Sequence, residues 1–370
     1  MIGSFFRSRA ASSRAQEEGG RIRKSRWKWL TLGVPLLLAA LYLLRSELRK
    51  SGFRWPVFVA TLTRLDWRWL LAAAGFGLAT YYVRALRWAV LLKPVQPHPN
   101  RKRLLSATVI GFTAITLLGR PGEFVRPYLI SIQERVPFSS QISAWVLERI
   151  YDLLITLVIF GFALSHVRDL GDPGPALGWL LEIGGWLLWI LAVACLLLLI
   201  LVRTYADIMR RRLLDALGFL SGHHLDRAGR AGRFLQALFQ GAESTRSAKS
   251  VFLLVAYTVM EWDLIVLSCF CLMKAYGADI QFSLTDVLIF MGFVTFGAVV
   301  QIPGIGGGVQ VAAVVVLTKI FGFTVELATS VAVLFWLVTF VAIVPFGLVA
   351  ALHAGLSWRK LRELEREATP

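Results

Sequence analysis

Apolar runs of bilayer-crossing length recur along almost the whole chain, and no other feature restricts its fold so severely. A helix needs about 20 apolar residues to span hydrocarbon, and every backbone N–H and C=O inside that layer has to be satisfied by the protein itself. Such runs occupy residues 30–44, 68–92, 104–118, 144–165, 178–202, 251–276, 284–302, 309–321 and 327–353. With 56% of 370 residues hydrophobic and 17% charged, the pattern predicts an all-α polytopic membrane protein. Its single transmembrane domain covers 30–353, between a basic tail at 1–29 and a second tail at 354–370. Three runs, 104–118, 284–302 and 309–321, are short or interrupted by Pro and Gly. They read as arms of two re-entrant hairpins and not as full crossings.

Lysine and arginine orient the spans, because cytoplasmic flanks carry their excess. Residues 203–249 hold nine basic side chains against four acidic ones, whereas 277–283 hold Asp279 and no base. The first loop is placed in the cytoplasm and the second outside, which puts both termini and the 93–103 connection in the cytoplasm. Six basic residues at 45–68 run against this scheme. The net charge of +17 resides between apolar runs, where topology and anionic headgroups account for it, so nucleic acid is not expected as a partner. The basic N-terminus followed by run 30–44 imitates a signal peptide, but arginine follows directly and many spans come later. It reads as an uncleaved first helix.

The spans repeat. From Arg68 a long span leads to a Pro/Gly break at Arg120–Gly122 and then to a long span; from Ser250 the same order recurs around "PGIGGG" at 303–308. In both halves, about 68–202 and 250–353, the break falls 53 residues after the start. With the orientation above, the first hairpin enters from the cytoplasm and the second from outside. Inverted repeats with broken segments in matching positions point to a site near the midplane. Freed N–H groups and helix dipoles at such breaks suit an anionic group such as phosphate.

Charges inside the runs carry the rest of the reading, since each one costs about 2.5–3.5 kcal/mol to insert and so has to face protein, a partner charge or water. "LLGRPGEFVRPYLI" contains Arg120, Glu123 and Arg126; "AWVLERIYDLL" puts Glu148 and Asp152 four apart on one helical face with Arg149 beside them. Arg120 and Arg126 are the expected partners of those carboxylates or of a lipid phosphate, which arginine grips bidentately. Glu123 pairs with either arginine. Arg84 and Arg87 are expected to snorkel to the interface. Glu261 and Asp263 fall near mid-membrane on opposite faces, so one of them at most turns to a shared cavity. Trp27, Trp29, Trp67 and Trp69 read as interfacial belt residues.

Enzyme signatures are missing from the sequence. The five histidines lie in loops or at span ends without an H-E-x-x-H; no phosphate-binding loop, nucleophile elbow or zinc spacing occurs, and Cys195, Cys269 and Cys271 form no disulfide framework. No cofactor and no metal is expected.

Three ordered motifs, "GRPGEFVRPYLI", "LERIYDLL" and "QIPGIGGGVQ", resemble those of the lysylphosphatidylglycerol synthase transmembrane-region family over roughly residues 30–350. In the synthases this domain is flippase-like and catalysis sits in a separate soluble domain. The resemblance implies a lipid flippase of a bacterial or archaeal cell membrane, moving an anionic or polyprenyl-linked lipid. It also leaves open a membrane enzyme, or an accessory scaffold beside enzymes of lipid, hopanoid or envelope glycolipid synthesis. Carried over residue by residue, the substrate-binding positions are Arg120, Gly122, Glu123 and Arg126; Glu148, Arg149 and Asp152; and Pro303, Gly304, Gly306 and Gly308, with Glu261 added from the charge argument. Where the family commonly has glutamate, this chain has Gln310, which removes a titratable group and leaves hydrogen bonding to a headgroup.

Overall fold

The computed structural model describes residues 53–166, 190–195, 197, 247–297, 301–302 and 306–354. The first run at 30–44, nearly all of 178–202 and of the loop 203–249, and Pro303 and Gly304 lie outside the described residues. Contacts divide the chain into 1–56 and 57–370, and the architecture below is that of the second unit.

After a short helix, α1 (Trp55–Thr63), Asp66 starts α2 (Trp67–Leu92) by accepting the amide of Arg68 at 2.9 Å. Asn100 starts α3 (Arg101–Leu118) in the same way, accepting from Lys102 and Arg103. Such caps satisfy amides that a first helical turn leaves without partners. α3 stops at Gly119, whose φ of 70° suits a residue without Cβ. A 3-10 turn follows at Arg120–Phe124 with Pro121 in its first positions, then α4 (Val125–Glu134) and α5 (Phe138–His166). The second half holds α6 (Ala248–Lys274), α7 (Leu284–Gly297), α8 (Gly308–Lys319) and α9 (Val325–Trp336). α9 runs through a π-wound segment, Leu337–Val341, into α10 (Val344–His353). Among the described residues the one sheet is a two-residue antiparallel ladder, Gln301–Ile302 with Gly306–Gly307, at the glycine-rich break.

The protein is therefore mostly helical. Three of its helical runs are long and apolar enough to cross a membrane: α2, α6 and the whole of Val325–His353. α5 is longer than either single helix at 29 residues but carries Glu148, Arg149 and Asp152. It also begins before the apolar run does. Ser139, Ser140 and Gln141 are polar yet buried, so its first turns are held by tertiary contacts that hydropathy does not register.

Packing crosses between the halves. α2 lies along α6, α3 lies along α10, and α7 lies along α5, while α8 sits against both α7 and α9. Two apolar clusters result: one joins the far part of α6 to α7, α8 and α9, the other joins the end of α2 to α3, α4 and α5. α2 contributes to both, with Ala73 in the first and Ala85, Trp88 and Leu91 in the second. Arg84 and Arg87 share this stretch of α2 with the second cluster.

Candidate functional site

Arg87 is wholly buried, and three carboxylates meet it. Its guanidinium donates to Glu148 Oε1 at 2.6 Å and to Asp152 Oδ1 at 2.6 Å, stands 3.1 Å from Glu261 Oε2, and donates to the Thr258 hydroxyl at 3.2 Å. Arg84, one turn earlier, pairs with Glu261 Oε1 at 2.9 Å. Arg126 donates to both oxygens of Glu148, and Arg149 reaches Asp152 at 3.1 Å. The cluster thus ties α2, α4, α5 and α6 together. The snorkelling expected of Arg84 and Arg87 is overturned: their counter-charges come from α5 and α6, and a paired guanidinium has no need to reach water.

Aromatic rings position the cations. Arg126 stacks 4.1 Å over the Trp88 ring and 5.1 Å from Phe112, and Arg84 lies 4.4 Å from Phe112 on the same ring. The Trp88 indole is itself pinned by Gln141 at 3.0 Å, and Gln141 donates to Ser140 at 3.0 Å. The buried polar start of α5 is therefore what holds the ring on which Arg126 rests.

Beside this cluster is a cavity of about 490 Å³ whose wall comes from α2, α3, the 3-10 turn, α4, α5, α6, α7, α8, α9 and the π-wound segment. Six of the expected residues line it: Arg120, Glu123, Arg126, Arg149, Asp152 and Glu261, together with Arg84. Glu148 lies directly behind, fully buried between Arg87 and Arg126. Arg120 and Arg149 are the accessible cations, 53% and 42% exposed. Of the mid-helix pair on α6, Glu261 faces the cavity and Asp263 faces outward.

Several expectations are corrected. Arg120 does not reach Glu148 or Asp152; it pairs with Glu123 at 3.1 Å, three residues away in the same turn. Gly122 does not present itself to a ligand. It is buried against α3, where a Cβ would fall 2.4 Å from the backbone of Ala114. The first break is not open coil either, because its amides are used within the 3-10 turn, Gly122 donating to Gly119 at 2.9 Å. Its polarity comes from side chains. Gly308 and Gln310 are not among the residues that line the cavity, while Val309 between them is. Gly308 instead packs its carbonyl against Gly297.

The profile of the family described as the lysylphosphatidylglycerol synthase TM region matches residues 27–347. The chain belongs to that family. Membership together with the apolar helices makes it a multi-pass integral membrane protein of lipid-related processes. No curated protein and no solved structure matches the chain. Within the family's matched span, the residues that sequence reasoning missed are Arg84, Arg87, Trp88 and Phe112. A signal for the first two was present: an i, i+3 arginine pair inside an apolar helix complements the i, i+4 acidic pair of α5.

Proposed function

We propose that the protein is a lipid translocase in which an anionic or polyprenyl-linked headgroup passes through the cavity while its chains stay in hydrocarbon. The observation that carries this reading is the charge balance of the site. Among the described residues, Arg84, Arg87, Arg120, Arg126 and Arg149 face Glu123, Glu148, Asp152 and Glu261, a surplus of one cation. A net positive, partly open cavity lowers the cost of moving a phosphate out of water. Its volume falls in the range of about 300–1,000 Å³ usual for ligand sites.

The same reading takes the two helix–break–helix pairs as re-entrant and the halves as inverted. Reciprocal packing supports this: the first arm of each pair, α3 or α7, lies along the long run that follows the other pair, Val325–His353 through α10 or α5. A two-fold relation between halves requires such an exchange. Cytoplasmic termini follow from the lysine and arginine distribution. The alternative, a headgroup-modifying enzyme, would use Glu123 or Asp152 as base, and both are held in arginine pairs.

Reconstitution in liposomes with a fluorescent anionic lipid tests the proposal. Arg149→Gln and Arg120→Gln each remove an accessible cation without exposing the buried core, so transport is expected to be lost while the thermal midpoint in detergent is retained. Wild-type rates in both variants would overturn it. Glu148→Ala is the weaker test, because that side chain also holds Arg87 and Arg126 in place.

A further inference from the structure

α6 carries a carboxylate that the cavity does not use. Asp263 sits two residues beyond Glu261 and so projects from another side of the helix. It is exposed and makes no ion pair or hydrogen bond with any described residue. It lies just past the middle of the 27 residues of α6. Around it on the same outward face are Val259, Met260 and Leu267, all exposed and all apolar. A carboxylate at this depth amid an apolar surface is among the most costly groups to leave facing hydrocarbon, and inside membranes such groups pair with opposite charge.

Among the described residues no base pairs with it. The chain's apolar runs beyond the described residues, 30–44 and 178–202, contain no Lys, Arg or His. A second copy docked two-fold on this face would bring Asp263 against its own equivalent, since such an interface pairs like with like. We propose that the Asp263 face of α6 docks a membrane-spanning helix of a different protein, one that carries Lys or Arg at the same depth. Charge complementarity selects the partner, and Val259, Met260 and Leu267 pack around the pair. Polar contacts of this kind hold helices together where apolar area alone gives no drive to associate. The inference is independent of the translocase reading, because Asp263 does not line the cavity.

A photo-activatable residue placed at Met260 or Leu267 in the full chain, in its native membrane, tests it. The adduct is expected to map to a membrane segment of another protein containing Lys or Arg. It is lost in Asp263→Asn and Asp263→Lys and kept in Asp263→Glu, and it returns in Asp263→Lys when the partner's basic residue is changed to Asp. Asp263→Asn keeps the size of the side chain, and an unchanged thermal midpoint separates loss of docking from loss of fold. Adducts to lipid alone, to a second copy, to residues 30–44 or 178–202, or to a helix without a base would overturn the proposal. So would adducts that Asp263→Asn leaves unchanged.

Discussion

The two helix–break–helix pairs are alike in how they close and unlike in what they carry. In α3–turn–α4, a Cβ at Gly122 would lie 2.4 Å from the Ala114 backbone, and one at Gly111 would lie 2.5 Å from Arg126 Cβ. In α7–break–α8, a Cβ at Gly297 would lie 2.4 Å from the Gly308 carbonyl. Both pairs depend on glycine to bring backbone against backbone. Yet the first sends Arg120, Glu123 and Arg126 to the cavity, and the second sends Met291, Val294, Thr295 and Val309. Closure is common to both pairs, and the charged side chains that reach the cavity from a pair come from the first.

The largest effect should come from the ionic side. Glu148→Ala leaves Arg126 and one contact of Arg87 buried without their carboxylate, and removing one partner of a buried pair costs about 3–5 kcal/mol. Thr295→Val, on the second pair's wall, removes a hydroxyl that donates only to Gly292 in its own helix, at 3.0 Å. Its expected cost is within about 1 kcal/mol. Thermal unfolding in detergent compares the two directly. Equal midpoints would mean that the charge cluster does not stabilise the first half.

Next in size are Gly122→Ala and Gly297→Ala. The atoms that a new Cβ would meet are backbone and, at Gly297, also the Ala312 Cβ, none of which can swing aside, so overpacking of about 1–3 kcal/mol is expected at each. Here the halves should respond alike. A loss confined to Gly122 would show that the two closures are not equivalent and would remove one support of the repeat.

The broken helices were legible in the sequence because Pro, Gly and hydropathy act locally. The i, i+4 spacing of Glu148 and Asp152 likewise placed them on one face, as the helix period demands. What the sequence hid was partnership. Arg87 meets Glu148 and Asp152 across 61 and 65 residues and Thr258 across 171, and nothing in a linear pattern says which of many carboxylates will arrive. An arginine near a helix end looks the same whether it reaches water or an acid on another helix. The role of Gly122 was misread for a related reason: a motif glycine is equally consistent with room for a ligand and with room for a neighbouring helix. Only the position of Ala114 distinguishes them.

The smallest effect concerns the π-wound segment Leu337–Val341, which breaks the run from α9 to α10 and lies against Gly77 of α2, where a Cβ would sit 3.5 Å from the Val338 carbonyl. A π turn displaces the regular i to i−4 bonds, and hydroxyls from the first half take up nearby carbonyls. Tyr81 donates to Thr339 at 3.1 Å, Thr116 to Phe340 at 3.0 Å and Thr113 to Ile343 at 3.4 Å. Among the described residues the reciprocal contact between α7 and α5 shows no such hydroxyl–carbonyl bonds; Gly292 meets Ala163 there, and Phe160 meets Phe293 edge-on at 5.0 Å. Each hydroxyl is expected to contribute about 0.5–1.5 kcal/mol, so Tyr81→Phe and Thr116→Val should lower the thermal midpoint only slightly. Their clearer signature is local: amide hydrogen exchange should accelerate across 337–343 and remain unchanged in α5 and α7. Uniform acceleration over both halves would mean that the segment is not held by these three side chains, and the asymmetry would then rest on charge alone.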